Sequence, residues 1–227
     1  DILIGTSLDA DGGIFRSTDN GNTWTIIGIP EHPVTSIAIK NSNGYIFTGT
    51  AAVGIYRSID DGANWTQINQ GLPIAGLNVN TLAINSSGYI FTGSIFGGIF
   101  RSTNNGDNWV QINQGLTQNY ILSLAINSSG HIFAGTSGSG AFRSTDNGDS
   151  WTQINQGLFG QNGQGYYVRS LATNSNGDIF AGTAEGVFRS TDNGDNWVQI
   201  NQGLTNISVY SLAINSNGDI FAGTGGG

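Results

Sequence analysis

The chain has 227 residues, a length common for one all-β domain, and its 36 glycines beside only 3 prolines point to turn punctuation rather than a collagen-like or proline-rich polymer. Fifteen acidic against seven basic side chains give a net charge of −8, which excludes a general phosphate-binding surface and makes nucleic acid a poor partner. With no cysteine there is no disulfide framework or thiolate metal site, and no apolar run reaches the ~20 residues needed for membrane insertion.

In chain order, Asp1-Ile2-Leu3-Ile4-Gly5-Thr6 reads as a short strand, and Phe15-Arg16-Ser17 opens a phrase that closes on Trp24. The phrase returns at 56–65, 100–109, 142–151 and 188–197, so the tryptophans are spaced by 41, 44, 42 and 46 residues. Five of the six arginines belong to it, and Arg169 alone stands outside. The last copy shows all four segments with strand chemistry: B at 178–183 (DIFAGT), C at 186–191 (GVFRST), D at 196–201 (NWVQIN) and A at 209–215 (VYSLAIN). Gly, Asn and Ser clusters bound them, and no stretch shows a sustained 3.6-residue period. Asn-Gly pairs inside the segments at 41–44, 174–177 and 215–218 place a tight hairpin between A and B, because both turn residues need positive φ. The chain closes at 219–224 on a second B-type strand, giving six B segments against five each of A, C and D.

Four-stranded units of ~43 residues bury their faces by stacking around an axis. The expected fold is therefore an all-β propeller of antiparallel four-stranded blades, with residues 1–227 as one domain of five blades. Part of a six- or seven-bladed or longer array is the alternative. In a five-bladed wheel the A segment at 209–215 completes the blade begun at residue 1 and hides an edge open to aggregation.

Residues Ser17-Thr18-Asp19-Asn20-Gly21-Asn22-Thr23-Trp24 resemble the SxDxGxTW pattern of the Asp-box, or bacterial neuraminidase repeat. The resemblance recurs in all five copies, carried by Asp19 and Trp24, Asp60 and Trp65, Asn104 and Trp109, Asp146 and Trp151, and Asp192 and Trp197. Sialidases, propeller xyloglucanases, sortilin-type receptors, a photosystem-assembly factor and many secreted bacterial proteins share it, so it implies a fold and leaves function to the site. The motif has a structural role of its own, in which Asp and Ser accept turn N–H groups, Gly supplies positive φ, and Trp packs on the neighbouring blade. Calcium is not expected, since the third copy carries Asn104 where a carboxylate is wanted. No metal or cofactor is assigned.

In an up-and-down blade the A–B and C–D turns share one face, built here from near-identical sequences. The B–C and D–A connections share the other, and these differ between copies. Phe96, Tyr120, Phe159, Tyr166, Tyr167 and Tyr210 fall in or beside them, and with His32 and Arg169 form the candidate ligand-binding set. The residue after the first Val or Ile of each A segment also varies, as Thr35, Asn80, Leu122, Arg169 and Tyr210, and should ring the mouth of the central channel.

A sialidase needs three arginines for its substrate carboxylate, and only Arg169 is free of the repeat. Asp9, Asp11, Glu31 and Glu185 are the carboxylates on the variable face that a two-carboxylate glycosidase or lyase would need, with no pair assigned as catalytic. His131 falls in the strand-start series with Tyr45, Tyr89, Asp178 and Asp219. The leading expectation is a non-catalytic, secreted or extracytoplasmic binding or scaffold module for a glycan or protein. A glycoside hydrolase or lyase, and a sensor input domain or structural array, are the alternatives. The end strands are expected to join an oligomer or a longer chain.

Overall fold

A computed structural model describes residues 1–6, 13–29, 32–158 and 166–225, with the backbone alone for Tyr166. The chain divides into two units, Asp1–Gln111 and Ile112–Gly227. In the first, β1 (Ile2–Gly5), β2 (Ile14–Ser17) and β3 (Thr25–Gly28) form a three-stranded antiparallel sheet. Two complete four-stranded blades follow, β4 (Val34–Lys40) to β5 (Tyr45–Thr50), β6 (Gly54–Ser58) and β7 (Thr66–Gln67), then β8 (Val79–Ile84) to β9 (Ile90–Ser94), β10 (Gly98–Ser102) and β11 (Val110–Gln111). A 3-10 turn at Ile74–Gly76 is the single helical element among the described residues.

The second unit holds β12 (Ile121–Ile126), β13 (Ile132–Gly138), β14 (Ala141–Ser144) and β15 (Thr152–Gln153), then β16 (Tyr166–Thr173), β17 (Ile179–Thr183), β18 (Gly186–Ser190) and β19 (Val198–Gln199). These two blades are joined by a short antiparallel bridge, Ser137↔Tyr167 and Gly138↔Tyr166. The hairpin β20 (Val209–Ile214) and β21 (Ile220–Thr224) ends it. The architecture is all-β, with blades in A-B-C-D order as expected. The last A segment, expected to complete the blade begun at residue 1, instead pairs with β21, from Val209↔Thr224 to Ile214↔Ile220. Closing that local hairpin costs far less loop entropy than reaching a strand 200 residues away in sequence.

β1 and β21, each paired along one edge, are largely exposed, whereas the B strands that lie between A and C are buried on both faces, as in β9 and β17, which is why they read Ile-Phe-Thr/Ala-Gly rather than alternating. Their glycine makes room for the next blade: a Cβ on Gly49 would fall 2.2 Å from Val79 Cγ1, and one on Gly182 2.8 Å from Val209 Cγ1. Core clusters consequently form between successive blades, such as Phe47 and Ile55 with Val79, Ile90 and Phe100. Each fully buried Ile or Phe contributes about 1.5–3 kcal/mol.

Four D strands hold only two residues and the first, β3, holds four, all shorter than the expected six-residue segments. A side chain takes over where the ladder stops. Asn69 Oδ1 accepts the Ile55 N–H at 2.8 Å while its Nδ2 donates to the Val53 carbonyl at 2.9 Å, and Asn155 and Asn201 repeat both bonds.

The repeated Ser-x-Asp turn supplies the other lock. Ser17 Oγ accepts the Gly21 N–H at 2.8 Å, and Asp19 Oδ1 accepts the Thr23 N–H at 2.9 Å. Asn104 fills the third copy with the same Oδ1 geometry, accepting the Asn108 N–H at 3.0 Å, so the turn needs an oxygen there and not a charge. The indole N–H groups of Trp109, Trp151 and Trp197 donate to the carbonyls of Ile68, Ile112 and Ile154 in the preceding blade at 2.7–2.8 Å, and Trp65 to Ile27 at 2.9 Å. Arginines of the phrase clasp the next turn: Arg57 Nη1 donates to the Asn105 carbonyl and Asp107, both at 2.7 Å, and Arg143 does the same to Asn193 and Asp195.

Candidate functional site

Hydrogen bonds sort the connections into two groups. Lys40 Nζ donates to Asn105 Oδ1 at 2.6 Å, and Asn127 Nδ2 to Asn193 Oδ1 at 3.1 Å, so A–B hairpins meet the Ser-x-Asp turns of the next blade. A shallow cleft of about 270 Å³ between two A–B hairpins of the first unit is lined by Lys40, whose ammonium is thus already engaged. B–C turns meet D–A connections instead: Ala51 N–H donates to the Pro33 carbonyl at 3.1 Å, Ile95 to Asn78 at 3.0 Å and Ser137 to Tyr120 at 3.0 Å. The dissimilar connections therefore come together within each unit.

All five A strands carry a register shift at one place, between Val34 and Ser36, Val79 and Thr81, Ile121 and Ser123, Val168 and Ser170, and Val209 and Ser211. The extra residue in each β-bulge is Thr35, Asn80, Leu122, Arg169 or Tyr210, the varying position of the sequence. A bulge leaves its extra residue outside the ladder and re-aims its side chain.

In the second unit two bulges meet. The Arg169 guanidinium lies 4.2 Å from the centre of the Tyr210 ring, and its Nη1 donates to Ser208 Oγ at 2.8 Å. Ser208 is fixed by its own N–H bond to Asn206 Oδ1 at 2.9 Å and by its carbonyl, which accepts the Gly225 N–H at 3.0 Å. Arg16, Arg57, Arg143 and Arg189 pair with Asp1, Asp107, Asp195 and Asp178. Among the described residues no carboxylate lies within ion-pair distance of Arg169. Tyr210 is 57% and Tyr167 45% exposed. The arrangement is a preset cation backed by one ring, able to take an anion in the guanidinium plane.

Other members of the sequence-derived set lie elsewhere. Phe96 is 64% exposed in the β9–β10 turn, against the connection bearing Ile74, which is 90% exposed. His32 stacks on Tyr56 with ring centres 6.2 Å apart. Tyr120 is held at its backbone by Gln118 Oε1, 3.3 Å from its nitrogen. Glu185 is half-buried in the β17–β18 turn; its N–H donates to Thr183 Oγ1 and its carbonyl accepts from Gln199 and Asn201. Asp9, Asp11, Glu31 and Phe159 lie outside the described residues, as does the side chain of Tyr166. Sequence reasoning missed Ser208, for which there was no signal, and Ile74, whose signal was the apolar run Leu72-Pro73-Ile74-Ala75 in a connection that is polar in other copies.

Turn carboxylates have the opposite electrostatics to a general acid. Hydrogen bonds from the Thr23 hydroxyl and N–H hold Asp19 at about 2, and the Ser150 hydroxyl leads the same effect on Asp146, also at about 2. Asp60 and Asp192 are lowered through Asn64 and Asn196.

Comparison with known proteins places this geometry. The family model for photosynthesis system II assembly factor YCF48 matches residues 9–222. The chain belongs to the YCF48 family. No curated protein matches it in sequence. Solved structures share the β-propeller fold: an ancestral GH74 enzyme (TM-score 0.78, 19% identity, 98% of this chain and 33% of that one) and a YCF48 bound to D1 peptide (TM-score 0.70, 16%, 97% and 71%). PorZ, a surface component of the type-IX secretion system of Porphyromonas gingivalis, is similar too (TM-score 0.68, 18%, 98% and 36%). The chain thus spans about a third of the length of the GH74 enzyme. YCF48-family membership and the neighbours leave both binding modules and enzymes on this fold, and the neighbours include extracellular domains of two-component systems. Among the described residues no helix is long and apolar enough to cross a membrane.

Proposed function

We propose that this YCF48-family chain is a non-catalytic, extracytoplasmic binding or scaffold module that recognises a protein segment through its B–C and D–A connections and the bulges beside them. In this reading the Ser-x-Asp turns are Asp-boxes that serve the frame. Arg169 carries the proposal, stacked on Tyr210, anchored by Ser208 and without a carboxylate partner among the described residues. An arginine held over a tyrosine ring suits a charged hydrogen bond worth about 1.5–3 kcal/mol. The exposed Ile74 and Phe96 of the first unit offer apolar anchors of the kind that dominate protein interfaces. Support also comes from the solved YCF48 that holds a D1 peptide.

The test is a binding screen of the purified chain against a peptide array, a neutral oligosaccharide panel and a galacturonic acid oligomer, read by calorimetry. Peptide binding weakened at least tenfold by Arg169→Ala with Tyr210→Ala is expected. Retention of oligosaccharides with no peptide bound would replace the protein reading by a glycan one. Cleavage of a polysaccharide lost only in Glu185→Gln would overturn the non-catalytic assignment.

A further inference from the structure

We propose that the bulged residue of each A strand is the specificity-determining position of its blade, and that Arg169 and Tyr210 together select an extended peptide bearing a carboxylate side chain next to an aromatic one. The inference rests on the protein-binding reading above and adds which residues choose the ligand.

Structural demands around the bulge fall on its two neighbours. The preceding residue, Val34, Val79, Ile121, Val168 or Val209, is buried. In the second unit a Cβ on Gly135 would fall 2.7 Å from Val168 Cγ1, so that valine fills the space the glycine leaves. The following residue ties A strands together: Ser36 Oγ accepts the Leu82 N–H at 2.9 Å, and Ser170 Oγ the Leu212 N–H at 3.0 Å. Between these fixed points the extra residue is released from the ladder, so its chemistry can change without unpairing the strand. Variation concentrates there: a small hydroxyl at Thr35, a cation at Arg169 and a ring at Tyr210.

Bulges also reach forward. Thr35 Oγ1 donates to the carbonyl of Val79, the residue before the next bulge, at 2.7 Å, and Arg169 lies over the next bulge residue itself. Within a unit, consecutive bulges therefore form a continuous track that an extended segment can follow. With Cζ over the Tyr210 ring and one Nη1 hydrogen on Ser208, the guanidinium keeps further N–H groups to offer a carboxylate, while the exposed tyrosine offers the adjoining ring contact.

Three fluorescein-labelled peptides, alike except for Asp-Phe, Asn-Phe or Lys-Phe at their centre, test this by anisotropy. Wild type should prefer the Asp peptide over the Lys peptide by roughly tenfold or more, as expected for a charge-assisted pair. Arg169→Glu should reverse the order, and Tyr210→Ala should weaken all three peptides, which share the Phe. Both variants should melt within about 2 °C of wild type, whereas Val168→Ala should melt several degrees lower. If peptides bind but Arg169→Glu leaves their order unchanged, the inference falls and the protein-binding reading stands. If wild type binds none of the three and nothing on the peptide array, both fall. A loss of melting temperature in Arg169→Glu equal to that of Val168→Ala makes the bulge residue a structural one and also overturns the inference.

Discussion

Replacing a single tryptophan separates the frame from the chain's first turn. Trp151 is 4% exposed, and its indole N–H donates to the Ile112 carbonyl at 2.8 Å. Trp151→Ala removes the ring and leaves a cavity, a change that costs about 3–5 kcal/mol at a buried aromatic site. Trp151→Phe keeps most of the buried area but orphans that carbonyl, costing about 1–3 kcal/mol. Trp24 occupies the same place in the first copy, yet it is 39% exposed and among the described residues no acceptor lies within reach of its indole. Trp24→Ala should therefore cost no more than about 1–2 kcal/mol. Urea unfolding followed by far-UV circular dichroism gives all three values without depending on the removed fluorophore. A Trp24→Ala cost equal to that of Trp151→Ala, or a Trp151→Phe variant as stable as wild type, would refute the assignment of the indole as a blade-to-blade lock.

Gly135→Ala should cost about 1–3 kcal/mol, because its Cβ would sit 2.5 Å from the Val168 carbonyl, which cannot swing away; Gly177→Ala, with open space at φ +86°, should cost about 1–2 kcal/mol in thermal melts. Arg143→Met should lose roughly 1 kcal/mol, and a double-mutant cycle with Asp195→Asn should recover only part of it, since the bond to the Asn193 carbonyl persists in the Asp195 variant. Folded-state carboxyls at about 2 for Asp19 and Asp146, against an ordinary 3.8, contribute stability that is intact above pH 4 and lost as pH falls through 3.8 toward 2. An acid titration of the unfolding midpoint should thus be flat near neutrality and fall below pH 4, and Asp146→Asn should flatten that limb.

The frame was legible because its demands are local. Asn-Gly turns between A and B, in which the glycine alone takes positive φ and not both residues as expected, the Phe-Arg-Ser phrase and apolar B strands each fix a short piece of backbone, and repetition assembles the pieces into blades. Two features escaped. Asn69, Asn155 and Asn201 read as the ends of D strands, whereas their amides replace the ladder and stop the strand early, which depends on a side chain reaching across 14 residues. The partner of the last A segment depended on a choice between two B strands of the same sequence type, and chain proximity decided it. At the site, variation at Thr35, Asn80, Leu122, Arg169 and Tyr210 was visible in the sequence, but the bulge that permits it is a relation between two strands. The stacking of Arg169 on Tyr210 joins two blades and lies a further step from anything local.

The same fold carries enzymes such as the GH74 relatives, so the distinction rests on which groups remain uncommitted. Acid-base chemistry needs a carboxyl whose proton is held near working pH. The Ser-x-Asp carboxylates go the other way, because the hydroxyls and N–H groups that make them lock the turn also stabilise their ionised form. Catalysis on this frame would have to be built from the variable connections, the same elements that surround Arg169. There Arg169 is a guanidinium, which stays protonated in proteins and so can hold an anion but cannot exchange a proton with it.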